Sequence, residues 1–354
     1  MKQFYHRVVL FILLCCSLFS MQNVNAQSWQ WAKGATCNGS MSSTGSEGWL
    51  VKTDLSNNIF TAISNRSDSI CLGSNKIYCP LYQNQTVIAK YDLLGNVLWA
   101  QYNSTGNASP IDITTDNDGN LYLLGYASSD SFKFGTSTIK RIYPAAYNYC
   151  FVIKFDTYGN IVWTTSGGAY WEGSFNASFG SITVDVFNNV YIAASYRDLT
   201  IQFGTYVLTN IGGVGTDDFF VVKYNSSGNV VWAKNFGGTG QDHVHGIIVG
   251  TDNKINLTGE FSSPSILFGS TTLNYTASYV AGTNNFNVYW AQLDASGNAI
   301  WAKQATGSNM VMSMAQDKLN NTYIGGVILD TIATFGSNTF LHKLSKIAGL
   351  SLLI

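Results

Sequence analysis

Short runs in which apolar and polar residues alternate follow one another along this chain, separated by Asn- and Gly-rich turns. GIIVGT (246–251), INLTGEF (255–261), NVYWAQL (287–293) and AIWAKQ (299–304) have the β-branched and aromatic content of strands and predict four of them. A short Asn-rich turn joins the first two, and D-x-x-G-N joins the last two. In that motif Asp accepts hydrogen bonds from the turn backbone, while Gly takes the left-handed conformation that a short bulged hairpin demands.

The pattern recurs. Trp99, Trp163, Trp232 and Trp301 each follow such a turn, in YDLLGNVLWA, FDTYGNIVWT, YNSSGNVVWA and LDASGNAIWA, and Trp31 in WQWAKG supplies an earlier, turnless copy. Successive Trp residues are 68, 64, 69 and 69 positions apart. Two further signals keep the pitch: a hairpin turn at Asn57-Asn58, Gly119-Asn120, Asn188-Asn189, Asn253-Lys254 and Asn320-Asn321, and a Leu-Gly or Phe-Gly pair at residues 72, 134, 203, 268 and 335. Five copies of a hairpin-based unit bury their apolar faces only against neighbouring copies.

Four strands plus an insertion of about 20 residues carrying the Phe-Gly pair account for a pitch above the common propeller blade of about 40–50 residues. The expected fold is therefore all-β, a β-propeller of about five four-stranded antiparallel blades, ranked above a sandwich or a linear solenoid. WQWAKG matches a fourth strand without its three predecessors and is expected to close the ring on the last blade. HKLSKIAGLSLLI at the other end resembles a degraded third and fourth strand. Either the ring closes at five blades with one redundant strand, or the chain is a piece of a larger propeller.

Residues 1–26 read as a cleavable secretory signal: Lys2, His6 and Arg7 precede the apolar run VVLFILLCCSLF, and Val24-Asn25-Ala26 suits cleavage before Gln27. The repeat domain then spans 27–354, secreted or at the cell surface, with no membrane insertion expected. A formal charge of −1 and 11% charged residues argue against nucleic acid or an anionic membrane as partner. Cys71 and Cys79, in CLGSNKIYC, are the disulfide candidates in an oxidising compartment, with Cys37 and Cys150 left to pair or stay free.

These residues resemble the secreted bacterial β-propeller repeat proteins called SBBP repeat proteins. The pattern K-x-D-x-x-G-N-x-x-W, then G-G-x-G-x-D, then a V-D-x-x-G-N-x-Y-x-x-G hairpin is similar to Lys223 through Gly259, with Gly237, Gly238, Gly240 and Asp242 in place. The resemblance covers about 320 residues, and the signal ending NAQ resembles those of Bacteroidetes secreted proteins. The family name implies seven blades where five copies are present. The resemblance implies no established activity and no fixed ligand.

Most of the acids belong to turns. The D-N-D-G run at 116–119 lacks the downstream bidentate Glu of a calcium loop. Of the three Glu residues, Glu172 could be joined by Asp217 or Asp242 as an acid pair, but no spacing organises them. His243 and His245 lie two apart on a strand with no third metal ligand evident, and no G-x-S-x-G elbow exists. No cofactor, metal or catalytic residue is expected. Ligand contact is expected on the face carrying the irregular connections, at Tyr170, Trp171 and Glu172 in SGGAYWEGSF and at Asp242 and His243 in GGTGQDHVH, where aromatics with few charges suit a glycan or a protein. The leading expectation is a non-catalytic binding or scaffold module. Its alternative is a propeller hydrolase or lyase acting on extracellular polysaccharide, with Asp112 its notable inner-strand acid.

Overall fold

Where Asp opens a turn, it holds it shut with both carboxylate oxygens. Asp54 Oδ1 accepts from the backbone N–H groups of Ser56 and Asn58, and Oδ2 accepts from the Asn58 side chain at 2.8 Å. The same three bonds recur at Asp92, Asp156, Asp185, Asp294 and Asp317. Asn57, Asn188, Asn253 and Asn320 take the left-handed conformation in the first turn of their repeats, and Gly95, Gly159, Gly228 and Gly297 do so in the second. The chain reverses wherever this local chemistry is written.

The computed structural model describes residues 47–67, 69–73, 75–78, 84–141, 148–169, 175–277, 285–307, 309–328, 332–341 and 350–353. Tyr170, Trp171, Glu172, Cys79 and the WQWAKG segment lie outside them, as does the leader. The first repeat comprises β1 (Glu47–Thr53), β2 (Ile59–Asn65), β3 (Ser69–Leu72), β4 (Asn75–Tyr78), β5 (Gln85–Tyr91) and β6 (Val97–Thr105). The second comprises β7 (Ala108–Thr115), β8 (Leu121–Ala127), β9 (Ser131–Phe134), β10 (Ser137–Lys140), β11 (Tyr149–Phe155) and β12 (Ile161–Ala169). The third has β13 (Phe175–Val184), β14 (Val190–Tyr196), β15 (Thr200–Phe203), β16 (Tyr206–Thr209), β17 (Asp218–Tyr224) and β18 (Val230–Phe236). The fourth has β19 (Asp242–Val249), β20 (Ile255–Phe261), β21 (Ser265–Phe268), β22 (Thr271–Asn274), β23 (Asn287–Leu293) and β24 (Ala299–Thr306). The fifth has β25 (Asn309–Gln316), β26 (Thr322–Ile328), β27 (Ile332–Phe335), β28 (Asn338–Leu341) and β29 (Leu350–Leu353). Every pairing among them is antiparallel, and no helix of the described residues is long and apolar enough to cross a membrane.

In each of the first four repeats the first, second, fifth and sixth strands form a four-stranded meander, as the alternation predicted. The first strands of successive repeats lie against one another, β1 on β7, β7 on β13, β13 on β19 and β19 on β25. The cores lie between sheets. Tyr122, Leu124 and Val152 of the second repeat pack with Ile192, Ala194 and Phe220 of the third, and Phe219 and Val221 of the third with Leu257 and Tyr289 of the fourth.

The Phe-Gly insertion differs from a plain surface loop. It folds as a small hairpin whose first strand adds to the outer edge of the preceding repeat: β9 pairs with β6, β15 with β12 and β27 with β24, making six-stranded sheets. β21 and β22 pair only with each other, beside β18. An outer strand would otherwise present unpaired N–H and C=O groups, and the neighbour's hairpin takes up part of that edge.

The repeated Trp is a latch between repeats. Trp99 Nε1 donates to Thr157 O at 3.1 Å, Trp163 to Ser226 O at 3.0 Å and Trp232 to Ala295 O at 3.2 Å, each acceptor being in the second turn of the next repeat. Each ring lies flat against the turn glycine, so close that a Cβ on Gly159, Gly228 or Gly297 would fall 2.8, 2.8 or 2.9 Å from a ring carbon. Trp301 instead donates to Gln292 Oε1 of its own sheet, at 3.2 Å.

Candidate functional site

Two of the residues singled out by sequence, Asp242 and His243, open β19 and meet the start of β17, where the third repeat adjoins the fourth. Asp242 N–H donates to Asp217 O at 2.6 Å, a backbone bond across the junction. The Asp242 carboxylate accepts from Ser263 Oγ at 2.6 Å and from Ser263 N–H at 3.3 Å. The Gly-Gly-x-Gly run that precedes it is required by this crowding. A Cβ on Gly237, whose φ is +154°, would fall onto the Asp218 carboxylate, and one on Gly238 would meet Ser263 Oγ at 2.6 Å.

Charge is concentrated here to a degree seen nowhere else among the described residues. Arg197, just after β14, holds Asp217 with two bonds, Nε to Oδ1 at 2.9 Å and an Nη to Oδ2 at 2.8 Å. This fork is the strong geometry for a guanidinium and a carboxylate. His243 Nε2 stands 3.9 Å from Asp217 Oδ2, and His245 Nε2 3.4 Å from Glu260 Oε1. Asp218 Oδ2 accepts from Ile211 N–H at 2.6 Å. Burial pushes the Asp218 carboxyl up to about 7, with the charges of Asp242 and Asp217 adding to the rise. Burial also raises Asp242, against the lowering effect of the Ser263 bonds, and lowers His243 despite the attraction of Asp217 and Glu260.

Asp242 and His243 are 0% and 5% exposed, so both are turned to internal partners. The member of the group that faces solvent is Arg197, whose side chain is 42% exposed. Chemically the arrangement is a clamp: opposite charges and short hydrogen bonds tie the entry of β19 to that of β17. Arg197 and Asp218 were not singled out from sequence. Their signal was a departure from the repeat, since only the third copy carries Arg-Asp after its second strand and Asp-Asp before its fifth.

Among the described residues, Asp112 and Asp116 are also occupied. Asp112 Oδ2 accepts from Ser181 Oγ and Ile182 N–H, both at 3.0 Å, and Oδ1 from Ile113 N–H at 2.8 Å, which joins β7 to β13. Asp116 takes bonds from Asp118 N–H, Asn120 and Tyr122 Oη. Among the described residues no three His, Cys, Asp or Glu side chains are grouped to hold a metal. Cys71 is disulfide-bonded, and the described Cys150 is free and buried.

Fold and contacts together define the class: an all-β repeat protein of antiparallel four-stranded sheets extended by neighbour-donated hairpins. No known protein family profile matches the chain. It is similar to an uncharacterized WD repeat-containing protein, L264, of Acanthamoeba polyphaga mimivirus, at 24% identity over 339 residues, 78% of this chain. The alignment spans 24% of that relative's length, so the chain corresponds to about a quarter of it. Among solved structures it matches a protein of unknown function from Bacteroides caccae at 10% identity and a TM-score of 0.30, over 72% of this chain and 92% of that one.

Proposed function

We propose that the chain is a secreted, non-catalytic β-propeller of the SBBP-repeat kind, a binding or scaffold module for an extracellular protein or glycan. The observation that carries this reading is the serial stacking of five repeat sheets through their first strands, the first four latched in series by Trp99, Trp163 and Trp232. The likeness to a WD repeat-containing protein supports it, because WD repeats are propeller blades, a fold that displays its connections as a binding surface. In this reading residues 1–26 direct export and are removed.

The ligand face is the one bearing the links between repeats, with Tyr170, Trp171 and Glu172 as contacts and Asp242 and His243 as the clamp that fixes the neighbouring link. Arg197 is its exposed cation. The test is binding of the secreted chain to arrays of extracellular glycans and of culture-medium proteins, each hit repeated with Trp171→Ala. Loss of binding by at least tenfold is expected, and undiminished binding would sink the face assignment.

A further inference from the structure

Between the fourth and fifth repeats the packing leaves a cavity of about 170 Å³. Val288, Ala305, Ile324 and Phe335 are its apolar wall, and Trp290, Lys303 and Gln304 are among the rest of its lining. The repeat is broken at this place. Trp290 stands where β5, β11 and β17 carry Ile88, Val152 and Val221.

Three polar side chains, Trp290, Lys303 and Gln304, mark the cavity as a site and not only a packing defect, and Gln304 Oε1 is buried there without a hydrogen-bond partner. The Trp290 indole Nε1 is buried and has no hydrogen-bond partner, although buried N–H groups are nearly always paired. Lys303 lies directly across from Trp290 in the ladder of β23 and β24 and is exposed, with Nζ 5.7 Å above the Trp301 ring. Trp301 in turn meets Trp290 edge-on at 4.7 Å, so the donor and the cation share one face of the sheet. Among the described residues no carboxylate stands within ion-pair distance of Lys303. An apolar pocket with a few convergent donors is the usual form of a small-molecule site.

We propose that this cavity binds a small aromatic monocarboxylate. The ring lies among Val288, Ile324 and Phe335, and the carboxylate takes hydrogen bonds from Trp290 Nε1 and Lys303 Nζ. The size is right, since an apolar cavity of about 150 Å³ accommodates benzene. An anion is called for because Trp290 Nε1 and Lys303 Nζ are donors and Lys303 is a cation, while the unpaired acceptor Gln304 Oε1 calls for a donor such as a hydroxyl elsewhere on the ring. The site is separate from the clamp at β17 and β19, and it stands whether or not the face proposed above binds a glycan or a protein.

The test is calorimetric titration of the purified chain with benzoate, and with benzyl alcohol as the uncharged probe. Saturable benzoate binding is expected, about tenfold weaker in Lys303→Gln and lost in Ile324→Trp, whose indole fills the space. Trp290→Phe keeps an aromatic ring while removing the N–H with the five-membered half of the indole, and it is expected to weaken binding several-fold even if Ile324→Trp folds poorly. Failure to saturate at about 10 mM benzoate, a free energy of about −2.7 kcal/mol, overturns the site. So does unchanged affinity in both Lys303→Gln and Trp290→Phe. Benzyl alcohol binding as tightly as benzoate overturns the carboxylate.

Discussion

Gly213 and Gly228 have nearly the same backbone, with φ of +82° and +81°, and differ in what surrounds them. A Cβ on Gly213 meets nothing within 4 Å, whereas one on Gly228 lies 2.8 Å from Cδ2 and Cε3 of Trp163. Gly213→Ala should therefore cost only the left-handed penalty, about 1 kcal/mol. Gly228→Ala carries the same penalty and must also displace the indole. That loses the 3.0 Å bond from Trp163 Nε1 to Ser226 O, worth about 1 kcal/mol, and disturbs the edge contact of Trp163 with Tyr122, worth roughly 0.5–1.5 kcal/mol. The expected total is roughly 2–4 kcal/mol. With a urea m-value of about 3 kcal/mol/M, the midpoint should fall by about 1 M for Gly228→Ala and about 0.3 M for Gly213→Ala. Trp163→Phe, alone and combined with Gly228→Ala, closes a double-mutant cycle in which the latch predicts clear non-additivity. Equal midpoint shifts for the two alanines, or strict additivity in the cycle, would refute the latch.

Asp218 gives a pH dependence of definite sign. Its folded value, about 7, lies above the ordinary carboxyl value of 3.8. Its stabilising share is therefore full below about pH 4 and is lost as pH rises through 7, by at most about 4 kcal/mol. The melting temperature of the parent chain should fall over that window relative to Asp218→Asn, and parallel curves would contradict the buried-acid reading. Burial pushes the Cys150 thiol up to about 12, so it should resist a thiol reagent until urea is added. Peptide mapping should find Cys71 joined to Cys79; a bond from Cys71 to Cys37 would exclude that pairing.

What the sequence made legible was whatever depends on neighbours in the chain. The turns at Asp92, Asp156 and Asp294 close within five residues, and both the Gly with positive φ and the Asp that bonds the Asn after it are visible as letters. The Trp pitch was visible too, yet its acceptor was not, because Trp99 and Thr157 are 58 positions apart and the acceptor is a backbone carbonyl open to any side chain. The same distance hid the hairpins: SFKF and STIK show that β9 and β10 pair, but nothing in them names β6 as the third partner. At the candidate site Asp242 and His243 stood out beside the glycine run. Arg197 and Asp218 did not, since a contact found in a single repeat leaves no periodic trace.

The donated hairpins place the structural module out of phase with the written repeat. A six-stranded sheet such as β7, β8, β11, β12, β15 and β16 takes its last two strands from the next copy. Excising one copy at its sequence boundaries would therefore remove the cover from the sheet before it and leave its own hairpin's former host exposed to pairing with another molecule. Shortened or lengthened arrays of this kind should be cut after the hairpin, so that each sheet travels with the piece that shields it, in the way roof tiles are lifted from the overlap and not from the visible joint.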